Sequence, residues 1–291
     1  MNFLNEDSFD VSFGDFMNSR ESLFLYPIVL LKSLIINYRL IVGLVGRDIS
    51  GRYRGSIFGL LWSFFYPILM LVVYTFVFSV VFKAKWSSDS SSKTEFALIL
   101  FAGLILFNLF SECIGRAPNL IVGNVNYVKK VIFPIEILPV VAMGAALFHL
   151  LISLLVWLIA YFAFFGIPYF TILQLPLVVL PLMLTVLGLS WLLASLGVYL
   201  RDVAQIVGVI VTVLMFMSPL FYPVTALPEN FQQWMMLNPL TFVVEQARDV
   251  MFWGKSIEWV AWSKQTAIAV VVAWLGFAWF QKTRKGFADV L

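Results

Sequence analysis

Six long apolar stretches decide what this chain can fold into. They run at about 58–82, 96–113, 138–165, 172–199, 204–223 and 265–281, and each approaches the roughly 20 residues that a helix needs to cross a bilayer. The sixth is the shortest and starts at the interface by taking in Trp259 to Trp262. The runs are continuous, without strict alternation, which favours helices over a barrel. Composition agrees: 62% of the 291 residues are hydrophobic and 12% are charged, against about half and a quarter in soluble domains. Too few charges remain to coat a water-facing surface, which excludes a soluble globular protein, a disordered chain and a nucleic-acid binder. The expected fold class is an all-α integral membrane protein with six transmembrane helices.

Basic residues near span ends set the orientation. One set of loops holds Arg47, Arg52, Arg54, Arg116, Lys129, Lys130, Arg201, Lys282, Arg284 and Lys285; the other holds Lys83, Lys85, Lys93, Arg248, Lys255 and Lys264. The first set is richer and is expected to be cytoplasmic, with both termini inside. Residues 1–30 are an acidic extension with Glu6, Asp7, Asp10 and Asp15, unlike a secretory leader. Across 31–54, Lys32, Arg39, Gly43, Arg47 and Ser50 form a polar stripe opposite Leu34, Ile35, Leu40 and Leu44. That pattern predicts an amphipathic helix in the interface plane, because a span would bring Lys32 and Arg39 into hydrocarbon at about 2.5–3.5 kcal/mol each. The remaining unit, 55–291, is the transmembrane domain. A chain of this size forms no wide conduit alone, so a homodimer is the expected assembly.

Chemistry-bearing patterns are sparse. Gly254-Lys255-Ser256 lacks the first glycine of a phosphate-binding loop, Asp249 standing in its place. No nucleotide hydrolysis is therefore expected of this chain, and no catalytic residue is assigned. Glu112, Glu136 and Asp202 sit at span ends, so neither a proton relay nor a carboxylate metal site is expected. His149 and Cys113, each the single residue of its type, are read as a helix-to-helix hydrogen bond and as packing. Gly51, Gly55, Gly59 and Ser63 recur every four residues, which suits either close helix approach or a sharp bend. Arg47, Arg52 and Arg54, with Tyr53 among them, could dock a lipid diphosphate bidentately or meet anionic lipid. The segment 119–131 is a short semi-apolar helix flanked by basic residues, fit for a partner's groove. Aromatic residues at the outer ends, among them Phe82, Trp86, Tyr161, Phe221, Tyr222 and Trp234, suit an interfacial belt or stacking on sugar rings. Prolines 219, 223, 228 and 239 punctuate the outer region; two short helices near 229–237 and 240–252 are predicted within 224–264, too short to span.

These segments resemble a known family. Arg47-Asp48-Ile49-Ser50-Gly51-Arg52-Tyr53-Arg54-Gly55-Ser56-Ile57-Phe58-Gly59-Leu60-Leu61-Trp62 with Tyr66-Pro67 looks like the approach to the first span in permeases of type 2 ABC exporters for polysaccharides. Tyr199-Leu200-Arg201-Asp202-Val203, then Ser218-Pro219-Leu220-Phe221-Tyr222-Pro223, Leu237-Asn238-Pro239-Leu240 and Glu245-Gln246-Ala247-Arg248 follow in the family's order. The resemblance implies a homodimer in the bacterial inner membrane, paired with two copies of a separate cytoplasmic ATPase that uses ATP and Mg. It implies that 119–131, with Asn119, Asn124, Asn126, Tyr127, Lys129 and Lys130, is the coupling helix seated on that ATPase. The interfacial helix would form part of a gate. The substrate would be a lipid-linked polysaccharide, O-antigen ahead of capsule or teichoic acid. A lipid or drug exporter of the same architecture, and a membrane-embedded glycosyl- or acyltransferase, are the competing readings.

Overall fold

The computed structural model describes residues 26–81, 86, 93–129, 133–235 and 238–291. Most of the N-terminal extension, together with Phe82 and Lys130, lies outside the described residues. The chain is an all-α membrane protein, with no strand among the described residues. Five helical stretches are long and apolar enough to cross a bilayer: Gly59–Phe78, Thr94–Arg116, Ile135–Phe165, Phe170–Tyr199 and Trp259–Val290. The helices are α1 (Tyr26–Ile36), α2 (Tyr38–Tyr53), α3 (Trp62–Tyr74), α4 (Lys93–Arg116), α5 (Asn119–Val122), α6 (Val125–Lys129), α7 (Leu138–Phe165), α8 (Leu175–Tyr199), α9 (Val203–Phe216), α10 (Glu229–Met235), α11 (Pro239–Arg248), α12 (Trp259–Thr283) and α13 (Phe287–Val290).

Two expectations are corrected. The interfacial helix of 31–54 is two helices, bent by 71° between Ile36 and Tyr38. At the break, Asn37 turns its side-chain amide back to donate to the Ser33 carbonyl at 2.8 Å, which competes with regular helix continuation. The expected fifth span, 204–223, contains only the 14-residue α9. At 1.5 Å per residue that is about 21 Å, short of the roughly 30 Å hydrocarbon core. The chain then turns at Met217–Tyr222 and enters α10 and α11, close to the expected bounds of the two short helices. Asn238 starts α11: its side chain accepts from Leu240 N at 3.0 Å, and Pro239 fills the first helical position, where no N–H is needed.

In the Gly51–Gly55–Gly59 row, Gly55 and Gly59 serve the bend, and none of the three makes a close helix contact among the described residues of this chain. Gly55 (φ +83°) and Gly59 (φ +51°) occupy the left-handed region, and a side chain at any of the three would meet nothing within 4 Å. Close approach is made elsewhere. α8 and α12 form the most extensive helix pair, crossing where a Cβ on Gly276 would collide with the Gly188 backbone and one on Gly188 with Val272 and Ala273. Gly197 likewise admits the Pro118 backbone.

The irregular outer region is fastened by Arg248, whose side chain is 0% exposed. It donates to the carbonyls of Ile99 (3.2 Å), Pro219 (2.5 Å) and Leu220 (2.8 Å) and to the Glu245 carboxylate (3.0 Å). The Trp86 ring covers its guanidinium at 4.3 Å. Gly103 leaves the room for it, since a Cβ there would lie 2.9 Å from Arg248 Nη2. By sequence Arg248 groups with the basic residues that set orientation; it is instead a buried helix residue.

Replacing Gly188 with Leu drives a side chain into backbone that cannot move aside. It is expected to cost about 3 kcal/mol or more, read as a lowered melting midpoint in detergent. Gly115→Leu, with open space around it, leaves the midpoint unchanged. Arg248→Lys is expected to fail nearly as badly as Arg248→Met. One ammonium cannot serve four acceptors spread along a planar fork, and each orphaned buried acceptor costs about 1–3 kcal/mol.

Candidate functional site

The bundle has a basic end, where α2, the 119–129 segment, Arg201 and the C-terminal helix meet. Here α2 packs on α7, with Val45 seated against Gly144. Polar side chains from three helices lock the position. Arg116 of α4 donates to both carboxylate oxygens of Asp48 of α2, at 2.8 Å each. Arg52 of α2 pairs with Glu112 of α4 at 2.5 Å. Glu112 Oε1 is held by charge and by no aligned hydrogen bond. Its other oxygen lies 2.9 Å from His149 Nδ1, and His149 Nε2 lies 3.0 Å from the Tyr53 hydroxyl. A neutral imidazole with its proton on Nδ1 satisfies both contacts, donating to Glu112 and accepting from Tyr53. The 3.4 Å approach of Arg52 Nη1 to the same Nδ1 is then a neighbour and not a bond. Two guanidiniums balance two carboxylates, so the cluster is close to neutral. His149 makes the helix-to-helix contact expected of it, and Cys113 is buried against Met143.

A second fastening holds α1. Glu136, just ahead of α7, is 5% exposed. Its carboxylate accepts from Ser33 Oγ (3.0 Å) and pairs with Arg284 (3.2 Å). Its backbone carbonyl accepts from the Trp191 indole at 2.9 Å. One residue thus joins α1, α7, α8 and the end of α12. Neither fastening was legible as such: Asp48, Glu112, Arg116, Glu136 and Arg284 are scattered along the chain, and their only signal is that each sits at a predicted span end.

Between the fastenings lies the 119–129 segment, broken into α5 and α6 at Gly123-Asn124. Two of its apolar side chains are already packed within this chain, while Val122 stays exposed. Leu120 and Ile121 are buried in a cluster with Trp191, Phe277, Phe280 and Phe287 of the same chain. Tyr127 stacks on Phe133 at 4.3 Å, and Asn124 donates its side-chain amide to the Leu120 carbonyl at 2.9 Å. Asn119, Asn126 and Lys129 are exposed. A cavity of about 350 Å³ separates this segment from α2. It is lined by Arg47, Arg52, Arg116, Asn124 and Tyr127 among others. Arg52 and Tyr53 are committed to Glu112 and His149. Arg47 and Arg54 are exposed and form no ion pair among the described residues.

The aromatics picked out at the other end divide. Tyr161 is 5% exposed, stacked on Trp157 at 4.9 Å, so it is part of the core and no sugar reaches it in this conformation. Trp86 is spent on Arg248. Phe221 is half-buried between Phe78 and Phe216, and Tyr222 donates its hydroxyl to the Phe216 carbonyl. Trp234 is free, at 72% exposure.

Comparison with known proteins matches this arrangement. Residues 39–252, from the start of α2 to just past α11, fit the model of the ABC-2 type transporter family. Among curated relatives, an O-antigen export system permease protein of Myxococcus xanthus is 28% identical, over 88% of this chain and 96% of its own length. One of the same description from Klebsiella pneumoniae is 23% identical over 87% and 95%. A polysialic acid transport protein of Escherichia coli is 25% identical over 81% and 90%. The family match spans most of the chain, both helices around the basic-end cluster and the Arg248 region, and so the chain belongs to the ABC-2 type transporter family.

Proposed function

We propose that this chain is the transmembrane subunit of an ATP-driven exporter that moves a lipid-linked polysaccharide, O-antigen or a similar glycan, across the bacterial inner membrane. The observation that carries the reading is the near end-to-end alignment with relatives named for O-antigen export and polysialic acid transport, covering 90–96% of their lengths. In this reading the basic end is cytoplasmic, both termini lie inside, and the subunit works as a homodimer with two copies of a separate ATPase, which binds the ATP and Mg. The exposed faces of α3 and α9 suit a second copy, because their apolar side chains are left uncovered by the described residues.

The 119–129 segment is the proposed ATPase seat. Its buried Leu120 and Ile121 make it rigid, and the exposed Asn119, Asn126 and Lys129 are free to touch a partner. Arg47 and Arg54 are the proposed contacts to the lipid diphosphate, with the roles of Arg52 and Tyr53 narrowed to holding the gate helix α2. A rigid seat placed between two fastenings gives a path for motion. Arg116 precedes the seat and grips α2; Glu136 follows it and grips α1.

Deleting the gene is expected to abolish surface glycan while polymer accumulates inside the cell, and unchanged surface glycan would sink the reading. Lys129→Glu should weaken co-purification of the ATPase. Arg47→Glu should lower export about tenfold or more at normal permease abundance, the equivalent of one lost charge-assisted hydrogen bond to phosphate.

The clasp yields a separate outcome. Arg116→Ala leaves Asp48 with only the distant Arg52 and frees α2. Because these groups are about a third exposed, the loss should be near 1 kcal/mol, or roughly fivefold more tryptic cleavage after Arg47 or Arg54 in open membranes. The exchanged pair Asp48→Arg with Arg116→Asp should restore protection.

A further inference from the structure

Charge is unevenly placed along this chain. Residues 1–25 hold five carboxylates and one guanidinium, so a chain of net charge +3 divides into a segment of −4 and a remainder of +7. An acidic run made only for water carries few aromatic residues; this one has Phe3, Phe9, Phe13 and Phe16. Its rings need an apolar seat and its carboxylates a basic one. In the proposed orientation the leaflet at the basic end is the cytoplasmic one, whose anionic lipids repel an acidic segment.

The cavity of about 350 Å³ between α2 and the 119–129 segment offers both. Its lining combines apolar Leu44, Leu120, Leu138 and Val141 with the charged Arg47, Arg52, Arg116 and Asp48. Arg52 is paired with Glu112 and Arg116 with Asp48. Arg47 is therefore the surplus charge, exposed and without an ion pair among the described residues. The N-terminal segment has ample reach. It joins α1 at Tyr26, and Leu30, about 6 Å further along that helix, packs on the cluster that contains Leu120 and Leu138. Phe16 precedes Tyr26 by ten residues, which can extend over about 33–36 Å. Attachment to α1 makes the encounter intramolecular, at an effective concentration on the order of millimolar.

We propose that residues 1–25 dock in this cavity as an internal plug: a phenylalanine ring lies against the apolar lining and a neighbouring carboxylate pairs with Arg47. Phe9-Asp10 and Asp15-Phe16 each place the two groups side by side. The plug covers the guanidinium that the exporter offers to its lipid diphosphate. Substrate must displace it, and the apparent affinity for substrate is lowered by the fraction of time the cavity is filled. Docking needs only the charges and the cavity; the displacement rests on the polysaccharide-export reading.

The test uses the native strain, with its partner ATPase present, and p-benzoylphenylalanine in place of Phe13, which leaves both ring–carboxylate pairs intact. On irradiation the probe should form an internal cross-link, at monomer mass, to 40–52 or 117–129. The same probe at the exposed Phe170 should not. Adducts of residue 13 only to phospholipid, to the ATPase or to a second copy of the chain would overturn the plug. Arg47→Glu should lower the cross-link about tenfold at unchanged permease abundance, the equivalent of one lost charge-assisted hydrogen bond. Adding Asp10→Arg and Asp15→Arg should restore the yield, and a yield indifferent to Arg47→Glu overturns the plug as well. In cells blocked in polymer synthesis the yield should rise several-fold, because no diphosphate competes; equal yields in the two strains overturn the displacement. Loss of the export reading itself shows separately, as surface glycan persisting in the gene-deletion strain.

Discussion

Lipid neither gives nor accepts hydrogen bonds, and every departure from plain helix in this protein is organised around that fact. α9 is too short to cross a bilayer by itself, and beyond its end the carbonyls of Pro219 and Leu220 lie outside any helical ladder. An apolar contact could not compensate them. A single buried guanidinium does, because its planar fork reaches several oxygens at once and its own charge is met by Glu245 and by the Trp86 ring. Arg248 is therefore what ties α11 to the turn at Met217–Tyr222 and to α4. Gly103 on α4 is shaped to the same purpose by having no side chain.

The same constraint acts at the basic end with a different solution. Here the polar groups are at the membrane boundary, and they are matched in pairs drawn from distant parts of the sequence: Asp48 with Arg116, Arg52 with Glu112, Glu136 with Arg284. A partly exposed ion pair adds little stability by itself. Its value is positional, since each pair is satisfied in one arrangement of α1 and α2 against the bundle and in few others. The polar face of α2 is thus turned toward the protein at Asp48 and Arg52 and away from it at Arg47, which gives the helix one side for anchorage and one for contact with something else.

Much of this was readable from hydropathy alone. Long apolar runs have one structural outcome in a membrane, so α3, α4, α7, α8 and α12 fell where expected, and Pro239 with Asn238 marked the start of α11. The sequence misled where local pattern and tertiary demand conflict. The stripe Lys32–Ser50 reads as one amphipathic helix, yet it is broken at Asn37, whose side-chain amide turns back to the Ser33 carbonyl. Apolar residues at 120 and 121 suggested an external groove because a loop was expected to be surrounded by water; in fact it sits on Trp191 and Phe287. Tyr161 at a span end was indistinguishable from a belt residue, and only packing against Trp157 and Phe252 shows it as core. Pairings across many tens of residues, such as Arg116 with Asp48, leave no trace in a single sequence beyond their charges.

The order of these residues along the chain matters as much as their contacts. Arg116 closes α4, Asn119 opens the exposed segment, and Glu136 lies just before α7, so the segment is bracketed by the two side chains that grip the N-terminal helices. Leu120 and Ile121 tie it to α8 and α12 at the same time. Asn126 and Lys129 are the exposed positions of α6, while the fixed point of the segment is α5. The polar connections out of α4 and out of Glu136, just ahead of α7, at this end are the ones to Asp48 and Ser33. The break at Asn37 leaves α1 and α2 with separate fastenings, α1 through Ser33 to Glu136 and α2 through Asp48 and Arg52 to α4, so the two helices are fixed independently at 71° to one another.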